Sequence, residues 1–163
     1  MKHVKRIALL LIGFVPLLSF GYYVSHLMRT VYYYVIGPLF LFGVAVVAAW
    51  FIFGMISIKL TGSRKEALLF LNAPAAVVLV LILVQEYIFR AMWANQAGFA
   101  TQMFYLPLVR FGSVISGIVP RFILPVLNMS IVCGVAFFCL LGASCLGRMS
   151  AERIGLAIAE RRT

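Results

Sequence analysis

Residues 30–58 read TVYYYVIGPLFLFGVAVVAAWFIFGMISI, 29 positions without a charge between Arg29 and Lys59. A charge at mid-bilayer costs about 2.5–3.5 kcal/mol on insertion scales, so such a run is built for hydrocarbon. Hydrocarbon offers no partner to a free N–H or C=O, which leaves a helix as the way for one such segment to cross. About 20 residues suffice for that crossing at 1.5 Å per residue, and this stretch exceeds the need. It is expected to tilt or project, with Tyr32, Tyr33 and Tyr34 at the headgroup level.

Working outward from this run, the same criterion finds three more. They are Ile7 to Met28, Ala67 to Gln85 with Glu86 to Phe89 at its end, and Phe122 to Gly147. The whole chain agrees: 64% of its residues are hydrophobic and 11% charged, with a mean hydropathy of +1.10. Soluble domains are only about half apolar. A chain of 163 residues could not hide this much apolar surface from water. The reading is an all-α integral membrane protein, a single domain over 1–163 with spans at about 7–28, 30–58, 67–89 and 122–147. The first span also resembles a secretory signal, with Ser19 and Gly21 at the −3 and −1 positions of a cleavage site. Its length favours retention as a span.

The basic residues orient the bundle. With both termini inside, Lys2, Lys5, Arg6, Lys59, Arg64, Lys65, Arg148, Arg153, Arg161 and Arg162 are cytoplasmic. Arg29, Arg90, Arg110 and Arg121 are then outside. Lys and Arg near span ends are preferentially kept in the cytoplasm, so this topology is expected, in a bacterial inner membrane. The groups at the cytoplasmic ends, Lys5, Arg6, Lys59, Arg64, Lys65 and Arg148, are assigned to lipid headgroups. A net charge of +10 split among helix ends lacks the continuous basic face of a nucleic-acid site, and no nucleic-acid partner is expected.

Between the third and fourth spans, residues 91–120 are too polar and broken to read as a crossing. Met92, Gln96, Phe99, Met103 and Leu106 recur at helical spacing while Asn95 and Gln102 point elsewhere, the pattern of an amphipathic interfacial helix. Pro107 is expected to end it, and a second short helix to run to Pro120. The expectation is an outer-face lid on the bilayer. A re-entrant hairpin, or a fifth crossing, is the alternative. At the other end of the chain, residues 148–163 form a cytoplasmic tail that extends the last helix or rests on anionic lipid, with Ser150 as a candidate cap.

Chemistry is scarce. The chain has no Asp and only two His, His3 and His26, at opposite ends of the first span. That removes paired-aspartate catalysis, Asp-oriented histidines and a two-histidine metal site within one chain. Thr61-Gly62-Ser63-Arg64-Lys65 lacks the spacing of a phosphate-cradling loop. Cys133, Cys139 and Cys145, six residues apart, point in three directions on one helix and are read as packing residues. No cofactor and no metal are expected.

Polar residues inside spans are the remaining candidates. Glu86 lies near the outer end of the third span beside Gln85, with Arg90 four residues on, the order of a helical ion pair. Asn128 and His26 fall at similar depth, so Glu86, Gln85, Asn128, His26 and Arg90 form the candidate polar cluster. Asn72 with Pro74, and Pro125 with Asn128, interrupt two spans, which ordinary bundles also tolerate. Gly21 with Ser25, Ala45 with Ala49, and Ser130 with Gly134 have the small-xxx-small spacing of close helix contacts. The large aromatics Trp50, Phe51 and Phe53 are left to lipid or another subunit. The expected function is a non-enzymatic subunit that scaffolds a larger membrane complex of secretion, transport or respiratory type. Its partners would be the bilayer and other membrane subunits. The alternative is a small homo-oligomeric transporter or channel working through the Glu86 region.

Overall fold

A computed structural model describes residues 2–30, 36–90, 96–118 and 128–160, and all of its regular structure there is helical. The helices are α1 (Lys2–Thr30), α2 (Ile36–Leu60), α3 (Arg64–Leu83, continued by a π-helical turn, Val84–Ile88), α4 (Gln96–Ile118) and α5 (Met129–Glu160). Four of them, α1, α2, α3 with its π turn, and α5, are long and apolar enough to cross a membrane. The tyrosine belt at 32–34, Met92, Asn95, Pro120, Arg121, the first residues of the expected fourth span and Arg161 to Thr163 lie outside the described residues.

Local chemistry sets the helix ends. Ser63, extended at φ −86° and ψ 121°, caps α3 by accepting from the Glu66 N–H. Asn128 caps α5 in the same way through the Ile131 N–H at 3.1 Å. A short polar side chain just before an apolar run meets donors that the first turn cannot satisfy. At the far end of α3 the Phe89 N–H reaches back to the Val84 carbonyl at 3.1 Å, and Arg90 turns away with φ 50°. Ser150 caps nothing, because α5 continues unbroken to Glu160.

Contacts between the ends fix the directions. Arg6 meets Glu66, Arg64 meets Glu152, and Arg148 meets the 61–62 turn, all at one end of the bundle. Glu86 meets Ser130 and Tyr87 meets Asn128 at the other. Helices α1 and α3 therefore run one way, and α2 and α5 the opposite way. Helix α4 begins and ends at the second of these ends: Thr101 touches Gln85, and Gly112 lies against the start of α5 at Val132. Its middle reaches inward, where Phe104 packs on Phe14 and the Tyr105 hydroxyl donates to the Ala75 carbonyl at 2.8 Å.

Two expectations are corrected here. Pro107 does not divide the segment, for α4 is one helix running through it. A proline at 107 deprives the Met103 carbonyl of its intrahelical donor. That carbonyl is covered instead by Gly21 of α1, so closely that a Cβ there would fall 1.8 Å from it. A neighbour that seats itself on the freed carbonyl lets a helix carry a proline. Trp50 is not outward-facing either. It is fully buried, with Leu17, Ala75, Tyr105 and Leu140, in a core to which all five helices contribute. Outside that core, large apolar side chains such as Tyr22, Leu41, Ile52, Leu69, Val77 and Phe138 are exposed.

Candidate functional site

The residues singled out by sequence separate into three constellations. At the end where α4 sits, the Glu86 carboxylate accepts from the Ser130 backbone N–H at 2.9 Å and from the Ser130 hydroxyl. It stands at the N-terminus of α5, where the helix dipole and unpaired donors favour a negative charge. Asn128 donates to the Tyr87 hydroxyl at 2.9 Å while capping the same helix. Gln85, the neighbour of Glu86, is fully buried and faces the other way, donating to Thr101 of α4 at 3.2 Å. The structure thus brings Glu86 and Asn128 together at the head of α5 and sends Gln85 elsewhere. His26 is exposed near the end of α1. Among the described residues Glu86 makes no ion pair with Arg90, since the left-handed backbone at Arg90 takes it out of helical register. Serving as a cap, the carboxylate is held by donors rather than by a cation.

The second constellation lies between the core and the basic end. Trp50 Nε1 donates to Asn72 Oδ1 at 3.2 Å, and Asn72 Nδ2 donates to Ser144 Oγ at 3.0 Å and to the Leu68 carbonyl at 2.9 Å. Ser144 in turn donates to the Leu141 carbonyl. One buried amide thereby ties α2, α3 and α5. Sequence reading noticed Asn72 but not its partners. Trp50 is four residues before Gly54 on α2, a face that a helical projection would have marked as inward.

The third constellation is at the basic end. Arg148, assigned by sequence to lipid headgroups, has only 2% of its side chain exposed. Its Nε meets Glu152 at 2.9 Å, and its terminal nitrogens donate to the Thr61 carbonyl at 2.9 Å and the Gly62 carbonyl at 3.2 Å. Planar donors in a fixed fork suit such a set of carbonyl and carboxylate acceptors. Arg148 is therefore an internal strut, because every direction its guanidinium can reach is occupied by protein. Glu152 also accepts from Arg64, and Glu66 accepts from Arg6 at 2.6 Å and from Thr61 Oγ1 at 3.3 Å. The Arg6 guanidinium sits 5.4 Å above the Phe70 ring. Lys5, Lys59 and Lys65 are exposed.

Among the described residues no three His, Cys, Asp or Glu side chains gather as metal ligands. Cys133 is buried, and Cys139 and Cys145 partly so, all as free thiols. Comparison with protein-family models, curated proteins and solved structures finds no match to this chain.

Proposed function

We propose that the chain is a non-enzymatic polytopic subunit that scaffolds or stabilises a larger membrane complex. In this reading it lies in a bacterial inner membrane with both termini cytoplasmic, and α4 sits on the outer side of the bundle. The observation that carries the proposal is where its polar groups are spent. Trp50, Asn72, Ser144, Tyr105, Gln85, Thr101 and Arg148 all bond from one helix to another or to a turn between helices. Polar side chains inside a bilayer usually mark a site of action. Here they hold helices to each other, which suits a part whose task is to keep a shape. The dipping of Phe104 and Tyr105 toward mid-depth favours the re-entrant over the lid form of the α4 segment. Ten basic residues against four support the orientation.

Gentle detergent extraction followed by native mass measurement tests this. The proposal expects foreign membrane chains to co-purify in fixed stoichiometry. A lone monomer or a homo-oligomer would contradict it and turn attention to solute flux.

A further inference from the structure

Helix α5 is longer than the bundle it belongs to. Near its start, Ser130 meets Glu86 at the far end of α3. At the basic end Glu152 meets Arg64, the first residue of α3. The stretch from Ser130 to Glu152 therefore matches α3 from end to end, and Arg153 to Glu160 run on beyond it. At 1.5 Å per residue this extension adds about 12 Å. Arg153, Ile154, Gly155, Leu156 and Ala157 are all exposed. Five successive helical residues turn through more than a full circle, so no other described helix packs on this part of α5.

Its composition does not suit bare water. Ile154 is 51% exposed and Leu156 66%. Leu156 follows Arg153 by three positions, which sets an aliphatic and a cationic side chain on one face. Hydrocarbon does not cover them. The contacts of Arg6 with Glu66 and of Arg64 with Glu152 lie at the start of α3, and charges are expelled from hydrocarbon. The extension then reaches about 12 Å further, past a headgroup layer of roughly 5–8 Å.

Charge chooses between the remaining occupants. Glu66 and Glu152 are each held by arginines of the chain itself. Lys59, Lys65 and Arg153 are exposed and make no ion pair among the described residues. In the sequence of the tail, Arg161 and Arg162 follow Glu160 and keep its balance positive. A second copy would oppose like charges, whereas an acidic surface is complementary. We infer that the α5 extension is a docking helix for an acidic protein segment, with Ile154 and Leu156 entering an apolar groove and Arg153 meeting a carboxylate at its rim. A helix laid in a groove is a recurrent mode of recognition, and arginine is enriched in such interfaces. This inference rests on the subunit reading and deepens it by naming the surface that holds the partner.

The test places a photoreactive amino acid at Leu156, or at the exposed Leu69 on α3, in the full chain expressed in its native host, and sequences the cross-linked peptides. Cross-linking from Leu156 to a foreign chain, at a segment of net negative charge, is expected. Arg153→Glu should lower that yield about fivefold or more, the effect of turning an ion pair of up to that strength into a repulsion. Arg153→Lys should keep most of it. Foreign chains captured from Leu69 alone would overturn the inference and leave the subunit reading standing, whereas capture from neither position would count against both. Cross-linking from Leu156 to phospholipid or to a second copy, or a yield that Arg153→Glu leaves unchanged, would also overturn it.

Discussion

Arg148 shows how one side chain can be misjudged when charges are counted by position alone. It follows Gly147 at the end of an apolar run, where basic residues commonly reach for headgroups. Its face was legible all the same. Ala136, Leu140, Ser144 and Gly147 precede it at spacings of four, four and three, and all are buried on the same stripe. Glu152, four residues on, was legible as a helical partner. The Thr61 and Gly62 carbonyls were not, because nothing local says that α5 will lie against that turn. Removing one partner of a buried charged set costs about 3–5 kcal/mol. Arg148→Gln should therefore lower stability by that order in a mixed-micelle unfolding assay, and Arg148→Lys should recover little of it, since an ammonium cannot fork to carbonyl and carboxylate together. The same variants should be cut faster by trypsin after Arg64 and Lys65, because the turn loses its anchor. Unchanged cleavage would mean that the turn stands without Arg148.

Among the elements, α2 and α5 cross in backbone contact at two glycines, one on each helix. A Cβ on Gly54 would fall 2.2 Å from the Ser144 carbonyl oxygen, and one on Gly147 would fall 2.0 Å from that of Phe51. The two backbones are in contact, so even a methyl group must force them apart. Gly54→Ala and Gly147→Ala should each destabilise the bundle by about 1–3 kcal/mol, as overpacking does. Gly134→Ala is the control: a Cβ there meets nothing within 4 Å, and better helix propensity should make it neutral or stabilising by up to about 1 kcal/mol. The helices themselves were readable from uninterrupted apolar runs, a property of single segments. Their crossings were less so. Gly21 was picked out by its spacing to Ser25 and does touch α4, but Gly54 has no small residue four positions away on either side, and a Cβ on Gly134, which was picked out, would meet no other helix among the described residues. Small-residue spacing reports that a helix can be approached, whereas the partner's carbonyl decides where. The continuity of α4 through Pro107 was hidden for the same reason, since the rescue of the Met103 carbonyl comes from α1.

For the whole molecule, the composition dictates a bilayer as solvent, and the structure supplies four helices of sufficient length with exposed apolar flanks. The connection through α4 returns the chain to the end it left, so α5 can run back beside α3 and bring Arg148 to the basic end. The candidate cluster around Glu86 was legible only as residue types at similar depth. Its actual arrangement, a carboxylate capping a helix whose start is 44 residues away, depends on that return. Ser63 and Arg90 flank α3 and its π turn, so the proposed topology puts them on opposite faces of the membrane. Single cysteines at these two positions, with Cys133, Cys139 and Cys145 replaced by Ala, would be challenged with an impermeant maleimide in intact bacterial cells. The proposed topology requires that Arg90→Cys be labelled from outside and Ser63→Cys only after permeabilisation. Labelling of Ser63→Cys in intact cells, or protection of Arg90→Cys until permeabilisation, would contradict it.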